Sequence, residues 1–335
     1  MNSNILKLSV CMGSISKKVQ YLMKSYPPEF KSERKADFYE DVSSIHRRQN
    51  GIIKFSRWRF AQERNAPLIL KNKPVEVEGK NSFYDYSDKD TETSRVWYMN
   101  FSSPILFGDY EGDSFGQSQI QVLEHPLLGS VYEYLEKNKI PGFEPGTTMY
   151  SKPTPFLIEN VPYWIRVNTN PVVSIDGKHY DFYGWKFAET SKSILSMGIR
   201  QIQHEESNNI IAMSAPSCGR GNEEKMKNQI EMIIKTLLVG FGAAVKTTTI
   251  SRKKDCIIHT GNWGCGTMGN DRELTYLLQI LCAGFTGVKK IVFHGLSQED
   301  EKILKSAREK SLSIPNGIKL ADYIIEQGLC GQQES

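Results

Sequence analysis

Apolar residues in this 335-residue chain change period several times, and each change marks an element. The run Val96-Trp-Tyr-Met-Asn-Phe101 is continuously apolar or aromatic and predicts a buried strand. A glycine- and acid-rich loop follows, then a helical pattern over 114–137. Short strands are expected at 155–158 and 163–167, and another at 209–214. Over 223–245, Met226, Ile230, Ile233, Ile234, Leu237 and Leu238 fall on one side of a long amphipathic helix. A strand at 255–259, a helix at 272–281, a strand at 290–294 and helices at 298–310 and 318–327 complete the series. Residues 1–90 are basic, aromatic-rich and poorly periodic, and the polar stretch 79–95 reads as a loop. Lys17-Lys18, Arg34-Lys35 and Arg47-Arg48 read as solvated helix faces. Strand–helix alternation predicts a three-layer α/β domain whose ligand loops gather at one edge of the sheet.

Composition narrows the partners. A net charge of +4 over this length is mild and calls for no nucleic acid. No stretch approaches a membrane span, and the apolar patch at 5–12 is too short for a signal peptide. The six cysteines (Cys11, Cys218, Cys256, Cys265, Cys282, Cys330) show neither CxxC pairs nor zinc spacing, which suits reduced thiols in a cytoplasmic protein or in an effector delivered by a specialised secretion machine. The six histidines show no HxH or HxxxH grouping, so no metal site is expected. No GxxxxGK[ST] motif is present, which removes the P-loop hydrolases.

The chemistry concentrates in 260–271. Four glycines (Gly261, Gly264, Gly266, Gly269) fall within nine residues, between an expected strand and an expected helix. Glycine permits positive φ and close backbone approach. Successive N–H groups ahead of a helix N-terminus favour an anion such as a pyrophosphate. A plain tight turn is the alternative. Asp271 reads as the N-cap of the next helix.

The stretch Thr260-Gly-Asn-Trp-Gly-Cys-Gly, with Asp271 and Leu274 opening the next helix, closely resembles the second phosphate-binding loop of poly(ADP-ribose) glycohydrolases, which are macrodomain proteins. That family's first loop follows a strand ending Asp-Phe-Ala-Asn; it has three glycines, a spacer of six to eight residues and then Gln-Glu-Glu. Here Asn100-Phe-Ser-Ser103 stands at the strand end, Phe107-Gly-Asp109 at the glycines, and Gln117-Ser-Gln119 after seven more residues. The resemblance spans roughly 95–312, specific at the second loop and eroded at the first. It implies a macrodomain-like mixed sheet flanked by helices over 91–312, an N-terminal accessory region over 1–90, and a C-terminal helix and tail over 313–335. It further implies ADP-ribose or an ADP-ribosylated protein as partner, with no cofactor, nucleic acid or membrane.

Carried over residue by residue, the resemblance places Asn100, Gly108, Gln117 and Gln119 around the ribose and first loop. Gly261, Asn262, Trp263, Gly264, Cys265, Gly266 and Gly269 fall around the pyrophosphate. Trp185, in Tyr180-Asp-Phe-Tyr-Gly-Trp185, falls at the adenine-stacking position, with core packing as the alternative. Phe293 aligns loosely with a ribose-contacting phenylalanine, and His294 beside it reads as a satisfied histidine. Cys265 is a loop residue in the family and not a nucleophile.

In the family the second glutamate of Gln-Glu-Glu protonates the departing group and activates water. At that position stands Gln119, whose amide can do neither at neutral pH. The neighbouring carboxylates then become candidates, Asp109 first and Asp113 second, with N-capping as the plain reading of Asp113. Glu124 reads as a solvated or structurally paired helix residue. Two functions follow: a hydrolase removing ADP-ribose from protein through Asp109 or Asp113, or a reader that binds ADP-ribosylated targets without cleaving them.

Overall fold

The computed structural model describes residues 7–46, 49–61, 73–168, 173–175, 178–219, 221–252 and 254–329. Its first elements are β1 (Ser9–Lys18), α1 (Val19–Ser25), α2 (Glu33–Ser43), β2 (Ile52–Phe60), β3 (Glu76–Gly79) and β4 (Ser94–Asn100). Next come α3 (Gln117–Glu124), α4 (Leu127–Asn138), β5 (Thr148–Met149), β6 (Lys152–Pro153), β7 (Phe156–Pro162) and β8 (Ile165–Val167). They are followed by β9 (Val173–Ile175), β10 (Lys178–Tyr180), α5 (Lys186–Glu189), α6 (Lys192–Gly198), β11 (Ile199–Gln201) and β12 (Ser207–Ala212). The last are α7 (Glu223–Arg252), β13 (Asp255–Thr260), α8 (Arg272–Thr286), β14 (Lys290–Phe293), α9 (Gln298–Ser313) and α10 (Leu320–Glu326).

Eight strands form one mixed sheet in the order β1-β2-β7-β12-β4-β13-β14-β3. From β12 to β3 the neighbours run parallel, while β7, β2 and β1 each run antiparallel to the strand before them. The two-residue period of β4 divides the core between the sheet's faces. Trp97 and Met99 pack with the leucines and isoleucines of α7 and α8, while Val96 and Tyr98 pack with α1, α2, α3 and α4. This is the expected three-layer arrangement.

Residues 1–90, expected as an accessory region, contribute β1 and β2 to one edge of this sheet and β3 to the other. Lys17 and Lys18 end strand β1 rather than lying on a helix, and Arg47, Arg48 and Cys330 lie outside the described residues. The helix expected over 114–137 is two helices. Pro126 lacks an N–H and disfavours helical backbone at His125, which takes φ −126° and ends α3. No helix among the described residues is long and apolar enough to cross a membrane.

Candidate ligand site at the carboxyl edge of the sheet

Because β12, β4, β13 and β14 are parallel, their C-terminal ends lie along one edge. The loops that leave it are 213–222, 101–116, 261–271 and 294–297. Open parallel sheets bind ligands there.

The glycine loop after β13 is held from several sides. Asn270 donates from Nδ2 to Pro216 O (2.9 Å) and accepts from Cys218 N–H (2.7 Å), and Ser217 Oγ donates to Met268 O (3.0 Å). Asp271 caps α8 as expected, accepting from Leu274 N–H at 2.8 Å. Gly261 passes so near β14 that a Cβ would lie 2.7 Å from His294 O. Gly264 has φ +80°, and a Cβ there would stand 2.6 Å from both Ala215 Cβ and Asn270 Nδ2. Gly264→Ala is therefore expected to lose about 2–4 kcal/mol of unfolding free energy, from left-handed strain plus overpacking. Gly266 has open space around it, so Gly266→Ala is expected to stay within about 0.5 kcal/mol of the parent. Equal urea midpoints for the two variants would refute this account of the loop.

Other residues of the second loop have structural duties. Trp263 is buried, and its Nε1–H donates to Met213 O (3.2 Å), so its ring is core and does not face a ligand. Asn262 Oδ1 accepts from the Tyr276 hydroxyl. Burial pushes the Cys265 thiol up to about 11, which keeps it protonated and unreactive at neutral pH.

The first loop is organised by a residue the sequence misrepresents. Lys35 is completely buried, not on a solvated face, because α2 packs its ammonium beneath residues 109–114. Its Nζ donates to Tyr110 O (3.0 Å), Gly112 O (2.5 Å) and Ser114 O (2.7 Å). Burial lowers its pKa to about 8, against the opposing pull of Asp113, Glu111 and Asp109. The acids of this loop thus surround a buried cation. Asp109 (φ +61°) and Asp113 are exposed, and their carboxylates accept no hydrogen bond among the described residues, whereas Glu111 pairs with Lys31 at 3.2 Å. Asp113 does not cap α3. Gly116 holds that position, with Gln119 Oε1 accepting from its N–H at 3.1 Å.

Gln119 also donates from Nε2 to Gly108 O (3.0 Å), so its amide bridges the loop from both ends. A carboxylate could not make the second bond. Gln117 clamps the end of β4, accepting from Phe101 N–H (2.7 Å) and donating to Met99 O (3.0 Å). Asn100 is buried and exchanges hydrogen bonds with Ser118, accepting from its hydroxyl at 2.9 Å.

Trp185 is 71% exposed rather than a core filler. Its neighbour Gly184 donates to Phe115 O (2.9 Å), which brings the aromatic segment against the first loop. Tyr183, absent from the expected set, accepts from the Gln117 backbone N–H, and its ring stacks on Phe83 at 5.9 Å. Phe293 is fully buried against Tyr276. His294 is a satisfied histidine: its Nδ1 meets Ser82 O at 3.1 Å, and its Nε2 meets His259 Nδ1 at 2.8 Å. Among the described residues, no three His, Cys, Asp or Glu side chains converge as a metal site.

The architecture is a three-layer α/β domain with a mixed sheet and a glycine loop at its carboxyl edge. Residues 168–302 match the family model described as poly (ADP-ribose) glycohydrolase (PARG), macro domain fold; this includes the glycine loop and Trp185 but not the first loop. Over those residues the chain is similar to the poly(ADP-ribose) glycohydrolase macro domain. Similar solved structures include poly(ADP-ribose) glycohydrolase from Thermomonospora curvata, with 13% identity over 92% of this chain and 89% of that one, at a TM-score of 0.43. Another is the Deinococcus radiodurans enzyme in complex with ADP-ribose, with 14% identity over 88% of this chain and 96% of that one, at a TM-score of 0.45. A search of curated protein sequences finds no match.

Proposed function

We propose that this protein binds ADP-ribose at the carboxyl edge of its sheet and hydrolyses it from modified protein. The observation that carries the reading is the glycine loop. Its backbone is pinned by Asn270, Ser217 and Asp271 beside the β4 end where Asn100 and Gln117 sit. The loop's N–H groups and the α8 N-terminus suit a pyrophosphate. The exposed Trp185 offers an adenine a flat apolar face.

Cleaving the anomeric bond builds positive charge on the sugar, and a carboxyl group must hand a proton to the departing oxygen or take one from water. Gln119 has no such proton to exchange, and its amide is occupied. Asp109 and Asp113 are the carboxylates whose oxygens are not engaged, on a loop that Lys35 holds in shape. We assign the proton transfer to Asp109 first and Asp113 second.

The test joins calorimetry with ADP-ribose to turnover of an ADP-ribosylated protein, for the native chain, Asp109→Asn and Asp113→Asn. The catalytic carboxylate's variant should keep its affinity within about threefold and lose on the order of 10²-fold in turnover. Absence of ADP-ribose binding would sink the reading as a whole. Binding without turnover by the native chain would make it a reader. Full turnover in both variants would remove the two aspartates from the mechanism.

A further inference from the structure

Two buried histidines share a hydrogen bond at the base of the glycine loop. His259 lies near the end of β13, just before the loop, and His294 directly follows β14; its carbonyl is the atom that a Cβ at Gly261 would strike. His259 Nδ1 and His294 Nε2 are 2.8 Å apart, and both rings are buried.

The positions of their protons follow from their partners. His294 Nδ1 faces two carbonyls, Ser82 O at 3.1 Å and Phe83 O at 3.3 Å, so it carries a hydrogen. In a neutral ring Nε2 is then bare, and it can only accept from His259 Nδ1–H. That fixes His259 in turn. While His259 is neutral its own Nε2 is bare, and this lone pair lies 3.3 Å from Asp88 Oδ2. The buried Nε2 makes no hydrogen bond among the described residues. A single added proton there would turn a repulsive contact into a charge-assisted hydrogen bond. A second cannot enter, because the two facing nitrogens share one hydrogen.

The charged groups around the pair are few. Asp88 and Asp85 attract the added proton and Lys80 opposes it. Tyr98, stacked on His259 at 4.4 Å, and Tyr84, edge-on to His294 at 5.0 Å, are held uncharged by burial. Burial also lowers the pKa of both histidines, His294 to about 4, so at neutral pH the free protein keeps the pair uncharged. A negative charge in the loop above shifts that balance toward the proton.

We propose that the His259–His294 pair takes up one proton when ADP-ribose settles its pyrophosphate in the glycine loop, so that binding strengthens as pH falls below neutrality. This rests on the reading of the first site given above and adds a regulator to it. The charged His259 then holds Asp88, on the same connection that carries Phe83 against Tyr183. A ligand that favours the protonated pair must, by reciprocity, bind more tightly where the pair is protonated.

Calorimetry with ADP-ribose in buffers of differing ionisation enthalpy counts the protons, at pH 6, 7 and 8, on the native chain, Asp88→Asn and His259→Asn. The ligand's pyrophosphate and adenine do not titrate in that range. The native chain should show an uptake that grows toward pH 6 without exceeding one proton, with binding at least about threefold tighter at pH 6 than at pH 8. In Asp88→Asn the new amide can donate to the bare Nε2, and the charge that attracts the proton is gone. In His259→Asn the amide keeps a donor for His294 and has no proton to gain. Both variants should hold ADP-ribose within about twofold of the native chain at pH 8 and lose the uptake below pH 7. Lys35 and Glu124 titrate near pH 8 in all three chains, so the difference between native and variant isolates the pair. Binding without uptake below pH 7, or uptake that persists in either folded variant, overturns the coupling and leaves the first site's reading intact. No binding at any pH overturns both.

Discussion

Lys35→Met is expected to destabilise the fold by about 3 kcal/mol or more and to weaken ADP-ribose binding at least tenfold. The side chain has no exposed surface and serves three carbonyls of one loop. Each buried carbonyl left without a donor costs about 1–3 kcal/mol, partly offset by not having to bury a charge. The loop would then also hold Asp109, Glu111 and Asp113 with no central cation to oppose them. The pH dependence has a definite sign. The folded pKa of about 8 lies below the ordinary 10.5, so between those values the unfolded chain holds more protons than the folded one. The Lys35 contribution to the unfolding free energy therefore rises with pH from 8 to 10.5, and the methionine variant should lack that rise. Urea unfolding at pH 7, 8.5 and 10 would show it. A variant as stable as the parent, with unchanged ligand affinity, would mean that the loop keeps its shape without the lysine.

Glu124→Gln is expected to be nearly neutral at pH 5 and clearly stabilising at pH 8. Glu124 is buried on α3, accepting from the Tyr86 hydroxyl at 2.8 Å and from Val167 N–H at 3.1 Å. Burial outweighs those two bonds and raises its pKa to about 8. Here the folded state keeps a proton that the unfolded chain gives up between about 4.5 and 8. The stabilisation is thus complete below the ordinary carboxylate range and is lost as pH rises through 8. The accumulated loss is roughly 5 kcal/mol at most, at about 1.4 kcal/mol per pH unit. A glutamine reproduces the uncharged shape and does not titrate, so it should flatten the slope. Parallel stability curves for parent and variant between pH 5 and 8 would show that Glu124 is already ionised in the fold.

Much of the framework was legible locally. The buried strand at β4, the amphipathic α7 and the strand–loop–helix around 260–271 rest on period and glycine content, which neighbouring residues report. The Asp271 cap is a three-residue relation, and it is present. The first loop was read less well. Gln119 and Gln117 looked like ligand residues, yet both amides are engaged in holding the loop and the strand end. Trp263 looked like a loop residue at the ligand and is core. Tyr183 lies two residues from the expected Trp185, and a tyrosine in an aromatic run carries no mark of which ring will meet α3.

Hydrophobic period, turn chemistry and the glycine loop, all local in the chain, determined the three-layer class and the edge at which the candidate site lies. Tertiary structure alone decided that β1, β2 and β3 complete the sheet from both ends and that a lysine in a basic pair is buried beneath a loop about 75 residues away. It also placed two arginines face to face across β8 and β11. Each of these depends on contacts between distant segments, and the cost of burying or opposing a charge is set by what surrounds it after folding.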